Sequence, residues 1–389
     1  MGVTTASFPD PIAAARALAP AVAGGRAWAD DHARLAPATV AALASAGLFR
    51  LVAPVEVGGW EASLPVQLAV YEELGAADPS AAWCVTNAAV AGRVAAYLSE
   101  DARRRVFADR GASYAFSNLV AGVARPTEGG YLVSGRWSVV SGAAHAAWAV
   151  LGARVEGGGA GPVGEGREEV RWLVVPAEVM TVVETWSDVV AMRGTGSHTV
   201  ELAQAFVAED LAHSWDRPRR IDRPLYRLGR TSVTGTSSAA IALGVLRAAA
   251  DSLTEVLSGY RSALDGRAPR EWANVQHAVA ELSASRRAAR AGLFGAAEEV
   301  WAVAREGDEV PARLRAELFV AADHAVQVTL AGVSRAFVCG TGRALQRGHT
   351  LERSLRDAHG MAVNWERVRR MVYDAGGVLL GQEPRHRGM

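Results

Sequence analysis

The stretch Gly129–Gly152, GGYLVSGRWSVVSGAAHAAWAVLG, decides how the rest of the chain is read. A glycine pair opens it, Tyr, Val and Trp recur at period two, and a second apolar run closes it. That is the pattern of a hairpin leading into a buried strand. About forty residues later Met192-Arg-Gly-Thr-Gly-Ser197 forms a polar glycine loop between two strand-like runs.

Around these pieces, Tyr114–Ser117, Tyr131–Val140, Ala147–Arg154, Val170–Val175, Met180–Thr185 and Thr199–Val207 carry β-favouring residues at period two. The glycine-rich piece Glu156–Gly166 reads as a long, mobile hairpin loop. Before the strands, apolar residues recur at helical spacing around Pro11–Leu18, Ala41–Leu48, Leu64–Leu74 and Ala81–Leu98, with a Pro/Gly-punctuated loop at Phe49–Trp60. Asp78-Pro-Ser80 offers an N-cap for the helix that bears Trp83. Asp210–Tyr226 has no periodicity and reads as a linker. Thr231–Gly259, Glu271–Arg305, Val310–Leu345 and Ser354–Leu380 are again helical. The expected architecture is mainly α with an inserted β domain: helices over 1–111, a β domain over 112–212 and a helical bundle over 213–389. Ala239–Ala250 and Ala316–Phe337 are apolar almost all round, which favours packing between subunits.

Composition narrows the function classes. A chain of 389 residues, 50% hydrophobic and 21% charged, can bury a large core. It contains no run of the roughly eighteen apolar residues that a membrane span needs and no secretory leader, so the expectation is a soluble, cytoplasmic protein. The net charge is zero and no long basic run stands out, which argues against nucleic-acid binding. No lysine occurs anywhere in the chain, which excludes Schiff-base catalysis and a P-loop. Cys84 and Cys339 lie far apart in apolar segments and read as buried thiols, and the histidines show no metal-ligand spacing, so no metal is expected.

The two opening pieces together resemble the middle domain of the acyl-CoA dehydrogenase superfamily, and the resemblance extends over nearly the whole chain. It implies a small β domain held between an N-terminal helical domain and a C-terminal four-helix bundle, a bound flavin, and a homotetramer built on the last helices. The string around Met192–Ser197 is similar to the "Gly-Met-Arg-Gly-Thr-Gly-Ser" of the superfamily's flavin monooxygenases, with Ala191 for the first glycine. His145 and Trp148 complete a further family-like His-x-x-Trp; a lone His there reads first as a structural residue.

The resemblance also nominates site residues. Ser117 stands on the family's flavin-edge strand, where it either bonds the ring or is an ordinary strand serine. On the next strand Trp137, Val139 and Ser141 alternate onto one face and Ser138 and Val140 onto the other, with Ser141 the candidate ring contact and Trp137 either beside the flavin or in the core. Thr195, Gly196 and Ser197 suit a phosphate or ribityl contact, or a structural turn. Arg217–Arg230 reads either as a helper for the flavin phosphate or as a connector.

Arg356-Asp357-Ala358-His359 matches the motif that precedes the superfamily's active-site helix. Where the dehydrogenases place their glutamate base this chain has Trp365, and Glu366, one residue on, is rotated by about 100°. A conventional acyl-CoA dehydrogenase is therefore not expected. The two-component flavin monooxygenases carry a histidine one position earlier, and here it is Asn364; a second family histidine is replaced by Ala91, and His359 is poorly placed to substitute. The loss suits oxygen transfer that needs no phenol-deprotonating base, with Asn364 orienting either the substrate or the peroxide.

The leading expectation is a monooxygenase that uses reduced FMN or FAD and O2, through a C4a-hydroperoxyflavin, to hydroxylate or N-oxygenate an aromatic or polyketide-like metabolite. The absence of a nicotinamide fingerprint agrees with a separate NAD(P)H–flavin reductase as partner. The alternatives are a flavin oxidase or a non-redox cyclase on the same scaffold, and a catalytically silent scaffold protein.

Overall fold

The computed structural model describes residues 10–157, 169–259, 261 and 266–386; most of the glycine-rich stretch Glu156–Gly166 lies outside them. Among the described residues, helices α1 (Pro11–Gly24), α2 (Arg26–His32), α3 (Pro37–Ser45), α4 (Leu64–Ala77), α5 (Pro79–Val94) and α6 (Glu100–Val106) precede the sheet. Strands β1 (Tyr114–Thr127), β2 (Gly130–Val140), β3 (Trp148–Val155), β4 (Val170–Pro176), β5 (Thr181–Val183), β6 (His198–Ala208) and β7 (Ala212–His213) follow. Helices α7 (Pro224–Arg227), α8 (Arg230–Ser258), α9 (Ala273–Glu306), α10 (Ala312–Cys339), α11 (Thr350–Val368) and α12 (Arg370–Leu379) complete the chain. No described helix is long and apolar enough to cross a membrane.

The strands form one mixed sheet in the order β5-β6-β2-β1-β3-β4-β7, in which β1 and β3 run parallel and every other pairing is antiparallel. The hairpin expected at Gly129 is there, with Thr127 opposite Gly130 and Gly129 in the left-handed conformation that a glycine adopts freely. β1 runs ten residues beyond the Tyr114–Ser117 expected for it. Gly122 obscured it, yet the sheet needs that glycine: Gly122 faces Gly135, and the Trp137 indole lies over the pair. A Cβ on Gly122 would come within 2.3 Å of that ring.

Two further departures are local. The segment read as a linker contributes β7, where Ala212 and His213 pair with Leu173 and Trp172 on β4. The single C-terminal helix expected over Ser354–Leu380 breaks at Arg369 into α11 and α12.

The N-terminal helices join the C-terminal bundle where α4 crosses α8. A Cβ on Gly244 would lie 2.3 Å from Glu72 O, and one on Gly75 would lie 2.7 Å from Ile241 O, so the two backbones touch. Glu73 pairs with Arg247 at 2.6 Å and Glu72 with Arg290 at 2.8 Å beside this crossing, which leaves α8 little rotational freedom. An ordinary mid-helix Gly→Ala change stabilises by roughly 1 kcal/mol. Gly244→Ala is expected to do the reverse, lowering the unfolding free energy by about 1–3 kcal/mol through overpacking, as read by urea titration.

Candidate active site

A cavity opens where the ends of β1 and β2 meet α5, the start of α8 and α11. One wall is a stripe of α5: Trp83, Thr86, Asn87, Val90 and Arg93 recur at three- and four-residue intervals and face the same way. Asp78 starts that helix as expected, its carboxylate accepting from Ser80 N at 2.8 Å. Phe116 and Asn118 face the cavity from β1 and Asn364 and Arg367 from α11. Asn118, Ser138 and Asn364 make no side-chain hydrogen bond to other described residues, so the wall offers free amide and hydroxyl groups.

Ser141 is tied into a chain of hydroxyls. Trp83 Nε1 donates to Ser141 Oγ at 3.1 Å, Ser141 Oγ lies 2.8 Å from Ser197 Oγ, and Ser197 Oγ lies 2.7 Å from Thr195 Oγ1, which donates to Met192 O at 2.8 Å. An indole N–H only donates and a carbonyl only accepts, so every proton along this chain points from Trp83 toward Met192. Ser141 therefore presents a lone pair, and no proton, to the cavity.

The β2 strand reaches the wall through a bulge. Trp137 pairs with Val200 but Val140 with His198, so β2 holds one extra residue there, and Val139 adopts φ +56°. Strict alternation, which put Trp137, Val139 and Ser141 on one face, fails for that reason. Ser138, Val139 and Ser141 all line the cavity, whereas Trp137 and Val140 are fully buried. Trp137 is a core residue, its Nε1 donating to Gly152 O at 2.8 Å.

The other nominated residues stand behind the wall. Ser117 points to the opposite side of β1 from Phe116 and Asn118, and its Oγ accepts from Leu119 N at 3.3 Å. Thr195 and Ser197 reach the cavity only through Ser141. Gly196, with φ +50°, packs against Ala33 and Arg34, and Gly194 leaves room for Ser80 and Ala29. The loop's Thr195 and Gly196 amides donate to Met192 O and Arg193 O, so they are spent inside it. The arginines of the connector before α8 lie off the wall: Arg223 pairs with Glu56 at 2.7 Å and Arg227 with Asp222 at 2.9 Å.

Acid–base groups are missing from the wall itself: no Asp, Glu, His or Cys is among its described residues. Trp365 turns away, donating to Asp323 Oδ1 at 2.7 Å and stacking on Phe319, while Glu366 is exposed beside Arg369. His359 is exposed and bonded to Leu355 O at 2.9 Å. Ala91 is buried off the wall. Cys84 is buried and donates to Thr195 O, whereas Cys339 is only half-buried. No cluster of metal-ligating side chains occurs among the described residues.

The residues that sequence reasoning passed over are Tyr71, Arg93, Ser138 and Arg367. The α5 stripe was legible from its spacing, but Tyr71 and Arg367 join it only through helix crossings. A polar wall of this kind suits the ring edge of a flavin, which presents alternating N–H, N and C=O groups. The cavity measures about 170 Å³, below the roughly 300–1,000 Å³ of ordinary ligand pockets.

Two buried groups set the pH response of this region. Burial lowers His145 to about 4; its Nδ1 lies 3.1 Å from Ser113 Oγ and its Nε2 has no partner. Burial raises Asp357, which accepts from Met192 N at 2.7 Å, to about 6. The lowered histidine contributes stability above pH ~6.5 that is lost as pH falls toward 4. The raised carboxyl favours the fold at low pH and loses that contribution as pH rises from ~4 to 6. Between pH 7 and 5, His145→Asn should remove a loss of about 2 kcal/mol, and Asp357→Asn should make the loss steeper by about 1 kcal/mol, both read from urea midpoints.

Comparison with known proteins agrees with this geometry. Residues 13–109 match the acyl-CoA dehydrogenase N-terminal domain and residues 236–364 the acyl-CoA dehydrogenase C-terminal domain. The chain is 27% identical to the flavin-dependent monooxygenase oxygenase subunit HsaA of Rhodococcus jostii, over 86% of this chain and 88% of that protein. It is 26% identical to indole-3-acetate monooxygenase of Pseudomonas putida, over 87% and 85%. Among solved structures, XiaF from Streptomyces, in complex with FADH2 and glycerol, superposes with a TM-score of 0.86 at 25% identity, covering 97% of each chain. The chain belongs to the acyl-CoA dehydrogenase superfamily, and its relatives by sequence and structure are oxygenase components of flavin-dependent monooxygenases.

Proposed function

We propose that this protein is the oxygenase component of a two-component flavin-dependent monooxygenase of the cytoplasm. It takes reduced FMN or FAD from a separate NAD(P)H–flavin reductase and transfers one oxygen atom to an aromatic or polyketide-like metabolite. When bound, the reduced flavin supplies two electrons to O2, so that one oxygen atom enters the substrate and the other leaves as water. The observation that carries this reading is the orientation of the hydroxyl chain. Ser141 can only accept from the cavity, which suits an N–H donor, and reduction adds an N–H to the flavin ring.

The chain's own residues then divide the work. Trp83 holds Ser141, Ser138 and Asn118 offer further ring-edge contacts, and Asn364 orients the substrate from α11. The wall's lack of a proton acceptor favours substrates whose reacting atom is already electron-rich. The assembly we propose is a homotetramer, in keeping with the helices Ala239–Ala250 and Ala316–Phe337, apolar almost all round in sequence.

With a flavin reductase, NADH and isotopically heavy O2, the product should carry one labelled oxygen; an oxidase, a cyclase or a silent scaffold yields unlabelled product or none. Ser141→Ala should weaken reduced-flavin binding more than oxidised-flavin binding, by roughly tenfold in the ratio of Kd values, measured by anaerobic titration.

A further inference from the structure

Arg93 poses a problem that the flavin reading leaves unsolved. Its guanidinium is buried at the far end of the α5 stripe, donating through one terminal nitrogen to Leu225 O at 2.9 Å and through the other to Leu228 O, and its Nε is buried without a partner. No carboxylate pairs with it: the titratable and charged groups around it are Tyr71, Tyr97, Tyr226 and Arg219. Burial lowers it to about 10, so it remains a cation at neutral pH. A buried charge with no counter-charge is costly.

Burying a guanidinium against carbonyls is not by itself a site in this fold. Arg50 is buried the same way, on Val57 O at 2.6 Å and Phe107 O at 2.8 Å. Arg93 differs because it lines the cavity, and it has company there. Tyr71, wholly buried on α4, also lines the cavity, and its hydroxyl lies within hydrogen-bond reach of Ser237, whose own proton goes to Val233 O at 2.7 Å. Ser237 lies beside it, and Arg367 on α11, which forms no ion pair among the described residues, adds a second positive charge to a wall with no negative one.

Position separates this end from the flavin end. Trp83, which holds Ser141, is ten residues before Arg93 on α5, or about 15 Å along the axis. Arg93 donates to Leu225 O on α7 and to Leu228 O just beyond it, with Tyr71 of α4 beside it. On the reading of a flavin at the sheet end, we infer that Arg93 and Tyr71 form a subsite for an ionised acidic oxygen of the substrate, a carboxylate or an acidic phenol. The substrate arrives as an anion and is anchored by that group. For the acidic phenol this also accounts for a wall without a base, because the proton that a base would remove is already gone.

Binding tests the subsite without turnover. The flavin-loaded protein is titrated by calorimetry with benzoate, 2-naphthoate and anthracene-2-carboxylate against their neutral amides, and with 4-nitrophenol at pH 8 against 4-nitroanisole. The acid is expected to bind roughly ten- to a hundredfold tighter than its neutral partner in at least one size class, and whichever arm shows it says which acid is meant. Arg93→Gln and Tyr71→Phe should each shrink that preference. Tyr71→Phe removes only one hydroxyl and keeps the ring in place, so it keeps the test intact if Arg93→Gln does not fold. Equal binding of acid and neutral partner, no binding by any acid, or a preference unchanged in Tyr71→Phe would overturn the subsite. Riboflavin, FMN and FAD are titrated beside these: if Arg93→Gln weakens FMN and FAD but not riboflavin, Arg93 holds the flavin phosphate and the substrate assignment fails. Loss of reduced-flavin binding by the unaltered protein would instead defeat the monooxygenase reading and leave the anion preference to stand or fall separately.

Discussion

The site depends on a six-residue loop, Met192–Ser197, at which all three parts of the molecule meet. Met192 N bonds Asp357 on α11, Arg193 bonds Ser187 O, Val189 O and Asp30 O, and Thr195 O receives Gly142 N from the end of β2. Glycines make the approach possible: Gly194 admits Ser80 of α5 and Ala29 of α2, while Gly360 on α11 admits Ala191. Because each of these hydrogen bonds has a backbone atom on at least one side and the packing is close at small residues, they hold the sheet, α5 and α11 at set distances. The cavity is the space left between those three elements.

Within that frame, function falls to hydrogen-bond direction and charge. The hydroxyl chain from Trp83 to Met192 orders its protons because one terminus can only donate and the other can only accept. Val139, β-branched and in the left-handed region, stores strain of about 1–3 kcal/mol at the bulge that aims Ser138 and Ser141 into the cavity. The far end of the cavity carries the opposite polarity, a buried cation and the phenol of Tyr71 beside Ser237. One cleft thus offers an acceptor at the sheet and donors among the helices.

Much of this was legible from residue order. The alternation of Tyr131–Val140, the helical spacing around it and the motif at Arg356–His359 were enough for the three-part architecture and the family. Asn364 and Ser141 were singled out, and both line the cavity. The readings that changed were those resting on strand phase. On β2 the bulge between Trp137 and Val140 brings Ser138, Val139 and Ser141 to the wall together, which strict alternation does not give, while Ser117 on β1 lies on the strand face opposite Phe116 and Asn118. The glycine loop showed its need for close approach, but what approaches it is protein: Ser80, Ala29, Ala33 and Arg34.

The sequence by itself determined the order of elements, the superfamily and the absence of the usual catalytic glutamate and histidines, because these are properties of local periodicity and of which residue occupies a motif position. Only the tertiary structure decided that Arg93 is a buried cation without a counter-charge, that Tyr71 stands beside it, and that Ser141 faces the cavity as an acceptor. Each of those depends on which distant residues a side chain meets across the α4–α8 crossing or the glycine loop, and such partners lie tens to hundreds of residues away along the chain. Periodicity reports which face of an element is buried; it carries no information on what is buried against it.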